Sequence, residues 1–154
     1  MSYVRRVFRY ISMFRALPAR ERRVLLASML LLPLFWVGLR LIGLRRFQAW
    51  LDRFPMAKRE ALTQGEAVAL GAVVNRASNH VLGPDNCLTR SLLLRWLLRR
   101  LGTTSDLRIG VRFEGSELAA HAWIEIDGIP VNDRPEVVRG FAAFDRSVSP
   151  NMFL

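Results

Sequence analysis

"GPDNCLTRSLLLRWLLRRLG", residues 83–102, joins a turn-forming segment to a leucine-rich helix and puts the only cysteine of the 154-residue chain, Cys87, at the junction. Asp85 and Asn86 are both good N-caps, so Cys87 falls in the first helical turn. There the unpaired backbone N–H groups and the positive end of the helix dipole favour a thiolate. Behind it Leu88, Leu92, Leu93, Leu94, Trp96, Leu97, Leu98 and Leu101 are apolar nearly all round, which predicts a central, buried helix ending at Gly102. Burial of that helix would hold the thiol rigidly.

A nucleophilic thiol needs a base to take its proton and a group to orient that base. Two histidines are present. His80 lies in "SNHVLGPD", residues 78–85, which reads as a loop, and a solvated or capping role is the ordinary outcome there. His121 lies between alanines in a strand pattern with Trp123 on the same face, where small neighbours leave room for a second chain and the indole can shield an imidazole. His121 is therefore the favoured base.

The elements around these residues follow from periodicity. Thr63 and Glu66 have the capping-box spacing ahead of Ala67, Leu70, Val74 and Ala77, which predicts a helix over about residues 64–78. "LRIGVRFE", residues 107–114, alternates as a strand, and "AAHAWIEIDGIPVNDR", residues 119–134, reads as strand, turn and strand. The order helix, helix, strand, strand, strand makes an α+β domain of residues 61–154.

Residues 1–60 differ in kind. They carry thirteen Arg and Lys against Glu21, Asp52 and Glu60, whereas residues 61–154 are balanced at ten of each sign, so the whole net charge of +10 is N-terminal. The C-terminal part has no electrostatic reason to bind nucleic acid, while the N-terminal part suits an acidic peptide, phosphates or anionic lipid. Val4, Val7, Phe8, Ile11 and Phe14 recur at helical spacing against Arg5, Arg6 and Arg9, and Pro18 and Pro33 suit helix starts or a kink, so three helices are expected here. The uncharged run from Val24 to Leu39 would reach only about 24 Å against a hydrocarbon core of about 30 Å. With seven arginines ahead of it and Arg clusters at both ends, neither a signal-peptide layout nor a positive-inside bias is expected. A buried or docking helix is the favoured reading, with attachment to a membrane surface and a true span as the others. One Cys excludes an internal disulfide and fits a reducing cytoplasm, and one Cys with two His argue against a structural zinc site.

Taken together, "CLTRSLLLRWLLRRLG", "LRIGVRFE" and "AHAWIEIDGIPVND" resemble the transglutaminase-like cysteine peptidases that remove the leader from lasso-peptide precursors. "LPARERRVLLASMLLL", residues 17–32, is similar to the N-terminal part of the stand-alone members. The resemblance implies a transglutaminase- or papain-like core, with a Cys-bearing helix packed on a small antiparallel sheet behind an N-terminal helical region. It implies Cys87 as nucleophile, His121 as general base and acid, Asp133 as orienting carboxylate, and no cofactor or metal. It also implies three partners: the precursor peptide, a separate leader-recognition protein, since no winged-helix recognition domain is visible in residues 1–60, and an ATP-dependent lactam synthetase. The backbone N–H of Cys87 is one expected oxyanion donor, and Asn75, Asn79 and Asn86 are candidates for a second. The same triad can pass its acyl group to an amine, as in a transglutaminase or ligase, and a non-catalytic basic scaffold is the third reading.

Strand geometry sharpens the expectation for Asp133. If Asp127-Gly128 formed a two-residue loop, Ile126 would pair with Ile129 and His121 would face Arg134. A three-residue loop of Ile126, Asp127 and Gly128 would pair Glu125 with Ile129 and set His121 directly across from Asp133. The three-residue loop is therefore predicted.

Overall fold

The computed structural model describes residues 15–144. The amphipathic segment read over residues 3–16 lies largely outside them. The chain forms α1 (Ala19–Leu51), α2 (Gln64–Val81), α3 (Cys87–Arg100), β1 (Asp106–Glu114), β2 (Glu117–Ile126), β3 (Ile129–Pro130), α4 (Pro135–Arg139) and β4 (Ala142–Ala143). The fold is α+β: α3 packs on an antiparallel sheet of order β3-β2-β1-β4, and α1 and α2 pack against α3 and each other.

Pro18 occupies the N-cap of α1, and Pro33 is accommodated inside it. The break comes instead at Gly43, whose φ of 74° and ψ of 162° are open to glycine alone at low cost. Residues 44–51 then turn back on the first run. The Phe47 ring lies against Gly38, where a Cβ would meet Phe47 Cε2 at 2.6 Å, and Phe35 and Phe47 meet edge to face at 5.2 Å. In a straight helix those two phenylalanines would stand about 18 Å apart.

The capping box at the start of α2 forms as its spacing requires, with Glu66 N–H donating to Thr63 Oγ1 at 3.3 Å and Thr63 N–H to Glu66 Oε2 at 2.9 Å. The helix runs past its expected end. Ser78, Asn79, His80 and Val81 form its last turn rather than a loop, because Gly83, at φ 85°, closes the helix by donating to the Ser78 carbonyl at 3.1 Å. Gly102, at φ 86°, follows the end of α3 in the same way.

One apolar core joins all the layers. Val24, Leu25, Leu32, Phe35, Phe47 and Leu51 of α1 meet Leu70 and Val74 of α2, Leu92, Leu93, Leu94 and Leu98 of α3, and Leu107, Ala122, Ile124 and Val131 from the sheet side. The capping glutamate also pairs with Arg20, which ties the start of α1 to the start of α2.

The loop between β2 and β3 differs from expectation. Ile126 pairs with Ile129 and Glu125 with Pro130, so the loop is the two residues Asp127 and Gly128, at φ 51° and 77°. Both angles are left-handed, as a type I′ turn requires, and Asp-Gly supplies that pair at low cost.

Gly43→Ala should destabilise the protein by about 1–3 kcal/mol in chemical denaturation, from backbone strain alone, since nothing lies within 4 Å of the added methyl group. An unchanged midpoint would show that the two runs of α1 meet by another route.

Candidate active site

Cys87 begins α3 with Asn86 as N-cap. The Asn86 side chain does not cap the helix; its Nδ2 donates back to the Leu82 carbonyl at 2.8 Å, so the exposed N–H groups of the first turn keep their pull on the thiol. The thiol faces His121 on β2 and the Ala122 backbone N–H, and both favour its charged form. His121 Nε2 is in a short hydrogen bond with Asp133 Oδ2, which leaves Nδ1 as the ring nitrogen able to exchange a proton with the thiol. Asp133 Oδ1 accepts from the Arg134 N–H at 2.9 Å. The structure thus brings Cys87, His121 and Asp133 together, while His80 is exposed on the last turn of α2.

Asp133 reaches His121 although the loop has the two-residue register, because the strand that would have faced it away ends first. Val131 N–H still donates to the Ile124 carbonyl at 2.9 Å. Ile124 N–H, however, donates to the Asn132 side-chain Oδ1 at 2.8 Å rather than to a strand backbone. The chain then leaves β2 for α2. The Val131 carbonyl lies where a Cβ on Gly71 would be, at 2.1 Å, and the Asn132 carbonyl accepts from Asn75 Nδ2 at 2.6 Å. Asn132 Nδ2 donates to Ser91 Oγ at 2.9 Å, and Ser91 donates to the Ala122 carbonyl at 3.0 Å. Ser91 and Asn132 are both buried.

Sequence reasoning missed these supports and Arg90. Arg90 and Ser91 stand three and four residues after Cys87, so helical spacing alone places them on its face. Arg90 Nη2 lies 4.0 Å from Asp133 Oδ2. The His121 ring is flanked by Trp123 at 6.1 Å and by Phe141 at 5.1 Å. Gly110, paired with His121 across β1 and β2, admits that wall, since a Cβ there would meet Trp123 Cη2 and Phe141 Cβ at 2.9 Å. Of the three candidates for a second oxyanion donor, Asn75 and Asn86 have their amide nitrogens committed to backbone carbonyls, and Asn79 is exposed. The free backbone N–H of Cys87 remains as the donor at the helix start.

The electrostatics suit an ion pair. Asp133 first, and then Cys87, raise the His121 pKa to about 9 against the cost of burial. Burial pushes the Cys87 thiol up, but the His121 ring, the Ala122 N–H and the positive charges of His121 and Arg90 outweigh it and bring it below its ordinary value. Burial likewise acts to raise Asp133, and His121, the Arg134 N–H and Arg90 overcome it. The thiolate–imidazolium pair is therefore populated from the lowered thiol pKa up to about 9, where the imidazolium loses its proton. Among the described residues no group of His, Cys, Asp and Glu is arranged to hold a metal ion.

Two measurements check this site. The iodoacetamide rate of Cys87 should titrate below the ordinary thiol range, and His121→Ala should move that titration upward because burial then acts with little opposition. At pH 7 the loss should be roughly tenfold or more, and an unmoved profile would separate the histidine from the thiol. Asn132→Ala leaves the Ile124 N–H without its acceptor and should cost about 1–3 kcal/mol in denaturation, with slower alkylation of Cys87. Wild-type stability in that variant would show that β2 does not depend on the asparagine.

No curated protein and no solved structure matches this chain. The family model described as "Transglutaminase-like superfamily" matches residues 29–145, well over half of the sequence, and takes in α2, α3 and the whole sheet with the three site residues. A cysteine at the start of a buried helix, facing a histidine on an antiparallel sheet and an aspartate just beyond its edge strand, stands at the centre of that match, and the chain belongs to the transglutaminase-like superfamily.

Proposed function

We propose that the protein is a cysteine peptidase that removes the leader from a lasso-peptide precursor in the cytoplasm. The observation that carries a cysteine-dependent reaction is the convergence of Cys87, His121 and Asp133, with the thiol lowered and the imidazole raised to about 9. The choice of substrate rests on the resemblance of residues 87–102, 107–114 and 120–133 to the lasso-peptide leader peptidases. In this reading the Cys87 thiolate attacks the carbonyl at the junction of leader and core, and the Cys87 N–H donates to the oxyanion. His121 gives its proton to the leaving amine, freeing the core peptide. Water, activated by the now neutral His121, then releases the leader from the thioester, and Asp133 keeps the ring in place through both steps. A separate recognition protein delivers the leader, and an ATP-dependent lactam synthetase consumes the new amine.

Transfer of the acyl group to an amine is the second reading, because the same acyl-enzyme serves both reactions and superfamily membership covers both. With purified precursor and recognition protein, the expected products are two fragments cut at one bond, with no crosslinked species. Cys87→Ala and His121→Ala should each lower turnover by about 10³-fold or more. Asp133→Asn should retain more activity than either, since it disturbs orientation rather than removing a reacting group. A crosslinked product would favour acyl transfer, and cleavage retained by Cys87→Ala would remove the triad from the reaction.

A further inference from the structure

The solvent face of α1 is the largest feature that the site does not use. Leu26, Leu30, Leu34, Val37 and Leu41 are 56, 75, 61, 42 and 78% exposed, and they recur every three or four residues along one side of the helix. The stripe is about 22 Å long. The stripe is flanked by basic residues, with Arg23 before it and Arg40 within its last turn, both exposed. Soluble monomers rarely leave so continuous an apolar strip in water.

By length and composition α1 could cross a bilayer. Its other side argues against that orientation. Val24, Leu25, Leu32 and Phe35 are buried in the domain core, so lipid cannot surround the helix, and the uncharged segment is shorter than the hydrocarbon layer. Lying in the plane of a membrane suits it better. Both ends then sit at headgroup depth, where arginines at either end meet phosphate, while the leucines between them enter the acyl boundary. The concentration of net charge in residues 1–60, and the pattern of Val4, Val7, Phe8, Ile11 and Phe14 against Arg5, Arg6 and Arg9 in the sequence ahead of α1, continue the same chemistry.

We infer that the exposed face of α1 docks the protein in plane on an anionic lipid surface. This inference stands apart from the peptidase reading, since it uses neither the triad nor a substrate.

The test is co-sedimentation of the full chain with vesicles of phosphatidylcholine, alone or mixed with phosphatidylglycerol. The wild type should bind the mixed vesicles and bind the neutral ones much more weakly. Leu30→Glu with Leu34→Glu should reduce binding by more than about tenfold, and Arg23→Gln with Arg40→Gln by roughly tenfold at low salt. All these residues are exposed, so thermal melting and Cys87 alkylation should match the wild type, which keeps a folding defect distinguishable. Three outcomes would overturn the inference: no binding to the mixed vesicles, binding that ignores the leucine changes, or a wild-type dimer in solution that those changes split without any lipid binding. The last would assign the face to a second copy of the chain.

Discussion

The site hangs on an edge of β2 that its neighbour leaves unpaired. Strand β3 is only Ile129 and Pro130, so from Ile124 back to His121 the outer edge of β2 has no complete strand beside it. Unpaired backbone groups in a buried position need partners. Asn132 supplies one with its side chain, accepting from Ile124 N–H, and α3 supplies another, with Ser91 donating to the Ala122 carbonyl, while the Cys87 thiol faces the Ala122 N–H. The nucleophile is therefore placed by an edge that would otherwise bind a strand. Had β3 continued, the Ala122 N–H would belong to the ladder and Asp133 would face away from His121.

That arrangement also determines the charge balance. Departure of the chain onto α2 through Gly71 and Asn75 brings Asp133 close to a ring already fixed by Trp123 and Phe141. Asp133 and Arg90 then act on the pair from opposite signs: the carboxylate favours the imidazolium, and the guanidinium favours both the thiolate and the carboxylate. Burial opposes all three charged forms. The ion pair survives because each charge has a hydrogen-bonding partner as well as a charged neighbour, which partly buried ionic groups require.

What the sequence made legible is local. The Thr63–Glu66 capping box, the leucine-rich helix behind Cys87 and the alternation in residues 107–114 each depend on contacts within a few residues, and each formed where its pattern placed it. The errors arose where distant parts of the chain compete. A three-residue loop would let His121 and Asp133 share a register, but Asp-Gly takes its preferred two-residue turn and the contact is made by ending the strand. Gly71 and Asn132 drive that ending, and neither carries a periodic signal, since one acts by lacking a side chain and the other by replacing a backbone acceptor. The segment "SNHVLGPD" reads as a loop, yet its first four residues continue α2 and Gly83 is the stop signal. Gly43 rather than Pro33 broke α1 for a related reason. A proline within a helix can be tolerated with a modest bend, whereas reversing the chain needs a dihedral region that only glycine enters easily.

Helix α1 shows how one element can serve the core and a surface at once. Its buried side fills the space above α2 and α3, and the superfamily match already begins within it, at residue 29. Packing of the described residues would be satisfied by polar residues on the outer side, because Leu30 and Leu41 are exposed there. Leucine exposed at those positions has an unfavourable hydration cost. The arginines at both ends of the stripe keep such a face soluble and give it a preference for negative charge. The buried side of α1 thus follows from core packing, while its exposed leucines and flanking arginines follow no packing demand of the described residues.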